Sequence, residues 1–216
     1  RTIIYNKKLI NAEDLSTYEN LASPAWKGQL CIRSSDSIYN QSLVASMIEV
    51  NGIEKTEIWA RNLVNNFARP PTGGDTDLLK ATAAGQCSIA LANTYYLGRL
   101  INSKNKEEII AAQNLSVFWP NQGDGDRGVH VNVSGAGITK HARNQKEAQV
   151  LLEFLVTDEA QKWYAEVNNE YPVVEGAVIS NTLKSFGNFK ADNINLTILG
   201  VNNSAAVKLM DRAGWR

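Results

Sequence analysis

Short apolar runs alternate along the chain with longer stretches whose apolar positions recur at helical spacing. Residues 2–6, TIIYN, are rich in strand-forming types, and residues 29–33, QLCIR, are a second short strand candidate. Ser34, Ser35, Asp36 and Ser37 follow, all types that cap helix N-termini, and a run carrying Leu43, Met47 and Ile48 then predicts a helix. A second amphipathic helix is expected over 54–67, and the Arg-Pro-Pro-Thr-Gly-Gly stretch at 69–74 reads as a loop. Asp75 stands where it would cap a helix ending near Gly85. Residues 86–92 are largely apolar, as in a parallel strand covered on both faces, and Asn93 and Thr94 cap the helix that follows. Further strands are expected at 116–119 and, with alternating character, at 129–138, separated by a polar connection at 123–128. Helices are expected over 145–156, 158–168 and 202–213.

Alternating strands and helices give an α/β fold. The chain has 216 residues, 44% of them apolar, which is enough for a substantial core. Lys plus Arg equals Asp plus Glu at 22 each, so no broad basic field draws in nucleic acid or anionic lipid. Binding must then come from a local site. No apolar run approaches the length of a membrane span, and neither a signal segment nor a cleavage motif is present. The start at Arg1, inside a strand candidate, suggests a processed chain or a fragment.

Tyrosines carry the most specific chemistry. Cys31 lies eight residues before Tyr39, and Cys87 lies eight residues before Tyr95. If the two strands are parallel neighbours, both tyrosines emerge at one height above the carboxyl ends, and Tyr39, Tyr95 and Tyr96 share a crevice. Phenols are poor acid-base catalysts, since unperturbed tyrosine titrates near about 10 and no histidine or carboxylate is interleaved. As ligands they suit a hard, highly charged cation such as Fe(III), which displaces the phenol proton. Arg99, one turn beyond Tyr96, would lower the cost of ionising them or hold a companion anion. Adjacent tyrosines at a helix start also serve as plain packing residues with wet hydroxyls, and the spacing alone leaves that reading open.

The segments WKGQLCIRSSDSIYNQSLVASMI, AAGQCSIALANTYYLGRL, VFWPNQ, RGVHVNVSGAGITKHARNQKEA, NNEYPV and AVKLMDRAGWR decide more. Through them the chain closely resembles periplasmic ferric-iron substrate-binding proteins of ABC transporters, and within them the cyanobacterial iron-uptake branch. The resemblance implies a type II periplasmic-binding-protein fold of two lobes, with Fe(III) bound between them and delivered to a membrane permease. It implies Tyr39 from IYNQS and Tyr95 and Tyr96 from NTYY as iron ligands, with Arg99 as a charge-neutralising neighbour. Fe(II) is left open as a second ion. Family members carry roughly a hundred residues before the point matching Arg1. By that analogy residues 2–125 and 177–216 form the second lobe, and 126–176 return to an otherwise missing first lobe. The expected protein is a periplasmic, monomeric binding protein from a bacterium, without catalytic activity, nucleic-acid partner or membrane insertion.

Other residues weigh less. Cys31 and Cys87 are either two buried thiols or one disulfide. His130 and His141 stand apart from any cluster and are read as structural or solvated. Asp124 and Asp126 lack the downstream glycine and glutamate of a calcium loop. An alternative within the same fold is a small-anion binder, with Ser34, Ser35, Asn93 and Thr94 at helix N-termini holding phosphate or sulfate.

Overall fold

The computed structural model describes residues 1–216. Four strands, β1 (Thr2–Asn6), β2 (Leu30–Cys31), β3 (Ile89–Ala92) and β4 (Leu115–Phe118), form one sheet in the order β2-β3-β1-β4. β2 runs parallel to β3, whereas β1 is antiparallel to both of its neighbours, β3 and β4. All five residues of β1 are buried, as suits an inner strand with both faces covered and no polar side to show.

Helices cover both faces. Ile3, Tyr5, Ile89 and Leu91 join one core with Leu43, Val44 and Met47 of α1 (Ile38–Asn51), Trp59 and Leu63 of α2 (Ile53–Val64), and Leu209 and Met210 of α9 (Thr197–Arg212). The alternate positions Ile4, Ala90 and Ala92 are equally buried, and α3 (Asp75–Ala83) packs on β1 and β3. α4 (Thr94–Ile101) and α5 (Lys106–Gln113) pack against α3 and each other. The segment around Pro24 and Trp26 is a chain of single 3-10 turns that buries Leu21 and Trp26.

Three expectations are corrected. Helix α3 is capped by Gly74, whose N–H donates to Asp77 Oδ2 at 2.8 Å, leaving Asp75 inside the first turn and buried. Residues 129–138 alternate but form no strand beyond a single bridge from Val129 to Ala191, because this part of the chain gives residues 131–138 no ladder partner. The helix expected over 158–168 ends at Trp163 as α7 (Asp158–Trp163) and widens into a π-turn over Tyr164–Asn168.

The chain divides into two compact units, residues 1–132 with 189–216, and residues 133–188. Residues 127–132 are tied into the larger unit: Val129 N–H donates to Lys190 O at 2.9 Å, Asp192 N–H donates to Val129 O at 2.8 Å, and Arg127 pairs with Asp192 at 3.4 Å. Gly128 permits this approach, since a Cβ there would lie 2.6 Å from the Ala191 backbone, and its φ of +95° suits glycine alone. The smaller unit holds α6 (Gln145–Leu155), α7, the π-turn and α8 (Asn181–Ser185), and buries Ala160, Ala165, Leu183 and Phe186. Helix α6 buries none of its residues, and its Val150, Leu151 and Phe154 are exposed.

Cys31 and Cys87 form a disulfide across 56 residues. It joins β2 to the approach of β3 and closes a long loop that an unfolded chain would otherwise explore. Replacing both cysteines by alanine is expected to lower the unfolding free energy by about 2–4 kcal/mol in denaturant melts, with the slope of the transition rising as the unfolded state expands.

Candidate metal centre

Tyr39 is the second residue of α1, and Tyr95 and Tyr96 are the second and third of α4. The structure brings the three together. Tyr95 Oη donates to Tyr39 Oη at 3.0 Å, and the rings of Tyr95 and Tyr96 lie 4.3 Å apart between centroids. All three are half-buried.

They do not meet through the shared spacing. The sheet register pairs Cys31 with Ala90, three residues beyond Cys87, so equal counts from the cysteines do not mean equal heights. The connection from β2 to α1, residues 32–37, is longer than the single residue Asn93 between β3 and α4. That difference in loop length offsets the register and brings the two helix starts level.

Arginines surround the phenols. Arg99 Cζ lies 5.2 Å from the Tyr95 ring centre and 5.4 Å from that of Tyr96, Arg33 lies 5.6 Å from Tyr39, and Arg1 lies 5.8 Å from Tyr39. Burial raises the pKa of Tyr95, and its bonds to Tyr39 and Tyr96 raise it further, while the Asn93 amide works against them. Burial also raises Tyr96. Without a bound cation both are neutral phenols.

Arg1 and Asp75 form the support that sequence reasoning missed. Their ion pair, 2.9 Å and fully buried on both sides, touches every element of the site. Arg1 Nε donates to Asn40 Oδ1 at 2.9 Å, Nη1 to Asn93 Oδ1 at 3.4 Å and Nη2 to the Leu91 carbonyl at 2.8 Å. Asp75 Oδ2 also accepts from the Asn93 backbone N–H at 3.1 Å. Asn40 in turn donates to the Arg33 and Ser34 carbonyls, pinning the loop before α1. Partners 74 residues apart leave no local pattern to read. The only available signal was an aspartate at a helix start where the following Asp77 could serve as the cap.

His130 is buried, with Nε2 2.6 Å from Ser42 Oγ, and burial above all holds its pKa well below 6.5. His141 is exposed. Asp126 closes a turn by accepting from Gly123 N–H at 2.9 Å. No group of three or more His, Cys, Asp or Glu side chains is gathered as a metal cage. A hollow of about 450 Å³ lined by residues including Leu9, Trp26 and Gln29 contains none of the three tyrosines.

An α/β sheet with two helix starts converging on a polar cluster at its carboxyl edge is the ground plan of a solute-binding lobe, and the chain belongs to the bacterial extracellular solute-binding protein family, whose model matches residues 1–193. It is 48% identical over all its 216 residues to Iron uptake protein A1 of Synechocystis sp., of which it covers 59%. It is 24% identical to the Major ferric iron-binding protein of Neisseria meningitidis serogroup B, of which it covers 62%. It superposes with a TM-score of 0.96, at 52% identity, on a Trichodesmium structure described as IdiA (FutA) in complex with iron and citrate ligands, covering all of this chain and 68% of that one. A ferric binding protein from Campylobacter jejuni gives a TM-score of 0.95 at 37% identity, with 68% of that chain covered. The chain thus spans about 60% of the length of the curated relatives it matches. The mixed α/β fold is that of periplasmic iron-binding proteins of the type II class over this span. No helix is long and apolar enough to cross a membrane.

Removing the carboxylate in Asp75→Ala leaves a buried, unpaired guanidinium and is expected to cost about 3–5 kcal/mol in a chemical melt. For His130 the folded pKa lies below the unfolded one, so the unfolded state takes up more protons as pH falls below 6.5. Thermal stability should therefore decline with acidification through that range, and less steeply in His130→Gln.

Proposed function

We propose that the protein captures ferric iron as cargo through the phenolate oxygens of Tyr39, Tyr95 and Tyr96, and serves an ABC transporter permease that takes the iron across the membrane. The observation that carries this reading is the convergence of three phenols, with Tyr95 and Tyr39 in direct hydrogen bond, beneath the guanidiniums of Arg99, Arg33 and Arg1. Neutral phenols must lose protons to bind, and Fe(III) is hard and charged enough to displace them. Arg99 offsets part of the negative charge that then accumulates. The names of the relatives, an iron uptake protein and ferric binding proteins, support the same cargo. Fe(II), a softer match for phenolate, is the weaker candidate.

The larger unit is read as the second lobe of a hinged, two-lobed receptor, and the segment within 133–188 as a return into a first lobe. The exposed Val150, Leu151 and Phe154, together with the partial coverage of the relatives, support it. The protein is read as a periplasmic monomer, and as a binder with no reaction of its own: arginine and asparagine, rather than an acid-base pair, surround the phenols. The anion alternative has less support. Asn93, its best donor, is already committed to Arg1, Asn132 and Tyr95, and the helix α1 is capped at Ser37, not at Ser34 or Ser35.

A titration of the protein with chelated Fe(III), followed in visible absorbance, is expected to develop a broad phenolate-to-iron charge-transfer band. Tyr95→Phe and Tyr96→Phe should each weaken binding by more than about tenfold and dim the band, since even residues that only orient a metal ligand are worth that much. Equal bands and affinities in parent and variants would overturn the assignment, and retention of phosphate in Tyr95→Phe with no band in the parent would favour the anion reading.

A further inference from the structure

A chain of hydrogen bonds runs from the buried interior to Tyr95, and each donor in it points the same way. Asn93 Nδ2 donates to Tyr95 Oη at 3.2 Å, and Asn132 Nδ2 donates to Asn93 Oδ1 at 3.1 Å. Ser42 Oγ donates to Asn132 Oδ1 at 2.8 Å and lies 2.6 Å from His130 Nε2.

The direction follows from one group that has no choice. Arg1 is a permanent donor, so the Asn93 atom it meets is the oxygen, and the amide nitrogen must face Tyr95. Asn132 therefore presents its nitrogen to that same oxygen and its oxygen to Ser42. Ser42 has a single proton and gives it to Asn132, so it accepts from His130 Nε2–H. His130 is then the Nε2–H tautomer, consistent with its Nδ1 being buried without a partner.

From this we infer that Asn132, held in place by Ser42 and His130, is a positioning residue for iron capture: it keeps the Asn93 amide turned so that a donor, never an acceptor, faces the Tyr95 oxygen. The inference rests on the proposed role of Tyr95 as an iron ligand. A donor on a phenolate oxygen strengthens as negative charge develops there and holds the ring orientation during binding, as hydrogen-bonded neighbours do for metal ligands generally. Arg1 holds the Asn93 oxygen only at 3.4 Å, at the long limit of a hydrogen bond, so the second, shorter donor bond from Asn132 reinforces the orientation and steadies the amide.

The test compares Fe(III) release to a competing chelator, and the position of the charge-transfer band, in the parent, Asn132→Leu, Asn132→Asp, Ser42→Ala and Ser42→Thr, each checked for fold by circular dichroism. Asn132→Asp keeps the shape and the bond from Ser42 but sets a carboxylate oxygen against the Asn93 oxygen, which loosens the hold on the amide that faces Tyr95. It should shift the band and speed release by on the order of tenfold, more than Asn132→Leu does. Ser42→Ala should show a smaller change that Ser42→Thr reverses. Folded variants with the parent's band and release rate would overturn the inference while leaving the iron reading intact. A folded parent with no band would overturn the iron reading, and this inference with it.

Discussion

The buried ion pair of Arg1 and Asp75 is the interaction on which the site depends. A guanidinium and a carboxylate taken wholly out of water are tolerable only if their remaining hydrogen-bonding capacity is met. Here Asn40, Asn93 and the Leu91 carbonyl meet it. Those partners lie at the starts of α1 and α4 and at the end of β3, so satisfying the pair fixes the three places from which the tyrosines project. The same requirement fixes which way each asparagine amide faces, and through Asn93 and Asn132 it reaches Ser42 and His130. One electrostatic demand in the core thus orders a polar network at the surface.

The sheet provides the other constraint. β1 lies between β3 and β4 and opposes both, which places Arg1 at the end of the central strand and beside the carboxyl end of β3. β2 and β3 run parallel, and the disulfide ties their approach together. Helix starts following parallel strands gather at one sheet edge, where ligand sites in α/β proteins are built. Unequal loops, six residues after β2 and one after β3, then bring Tyr39 level with Tyr95.

Tyr95 and Tyr96 are held protonated when no cation is present, chiefly because burial disfavours the charged form. Arginines and the Asn93 donor pull in the other direction. Under the proposed function such a balance would suit reversible binding: a trivalent cation displaces the protons, and proton uptake helps release it.

Much of this was legible in the chain itself. The capped strand-to-helix units, the apolar run before NTYY and the helix carrying Leu43 and Met47 are local patterns, and a strand or helix declares itself through its own periodicity. The tyrosines stood out through the resemblance of IYNQS and NTYY to iron-binding motifs, since their spacing alone left plain packing open. What the sequence could not declare was the parallel register of β2 and β3, the failure of 129–138 to pair, or the union of Arg1 with Asp75. Each of these depends on what a residue meets across tens of positions. An ion pair or a strand partner distant in sequence leaves no period to detect, and only folding brings its members within reach of each other.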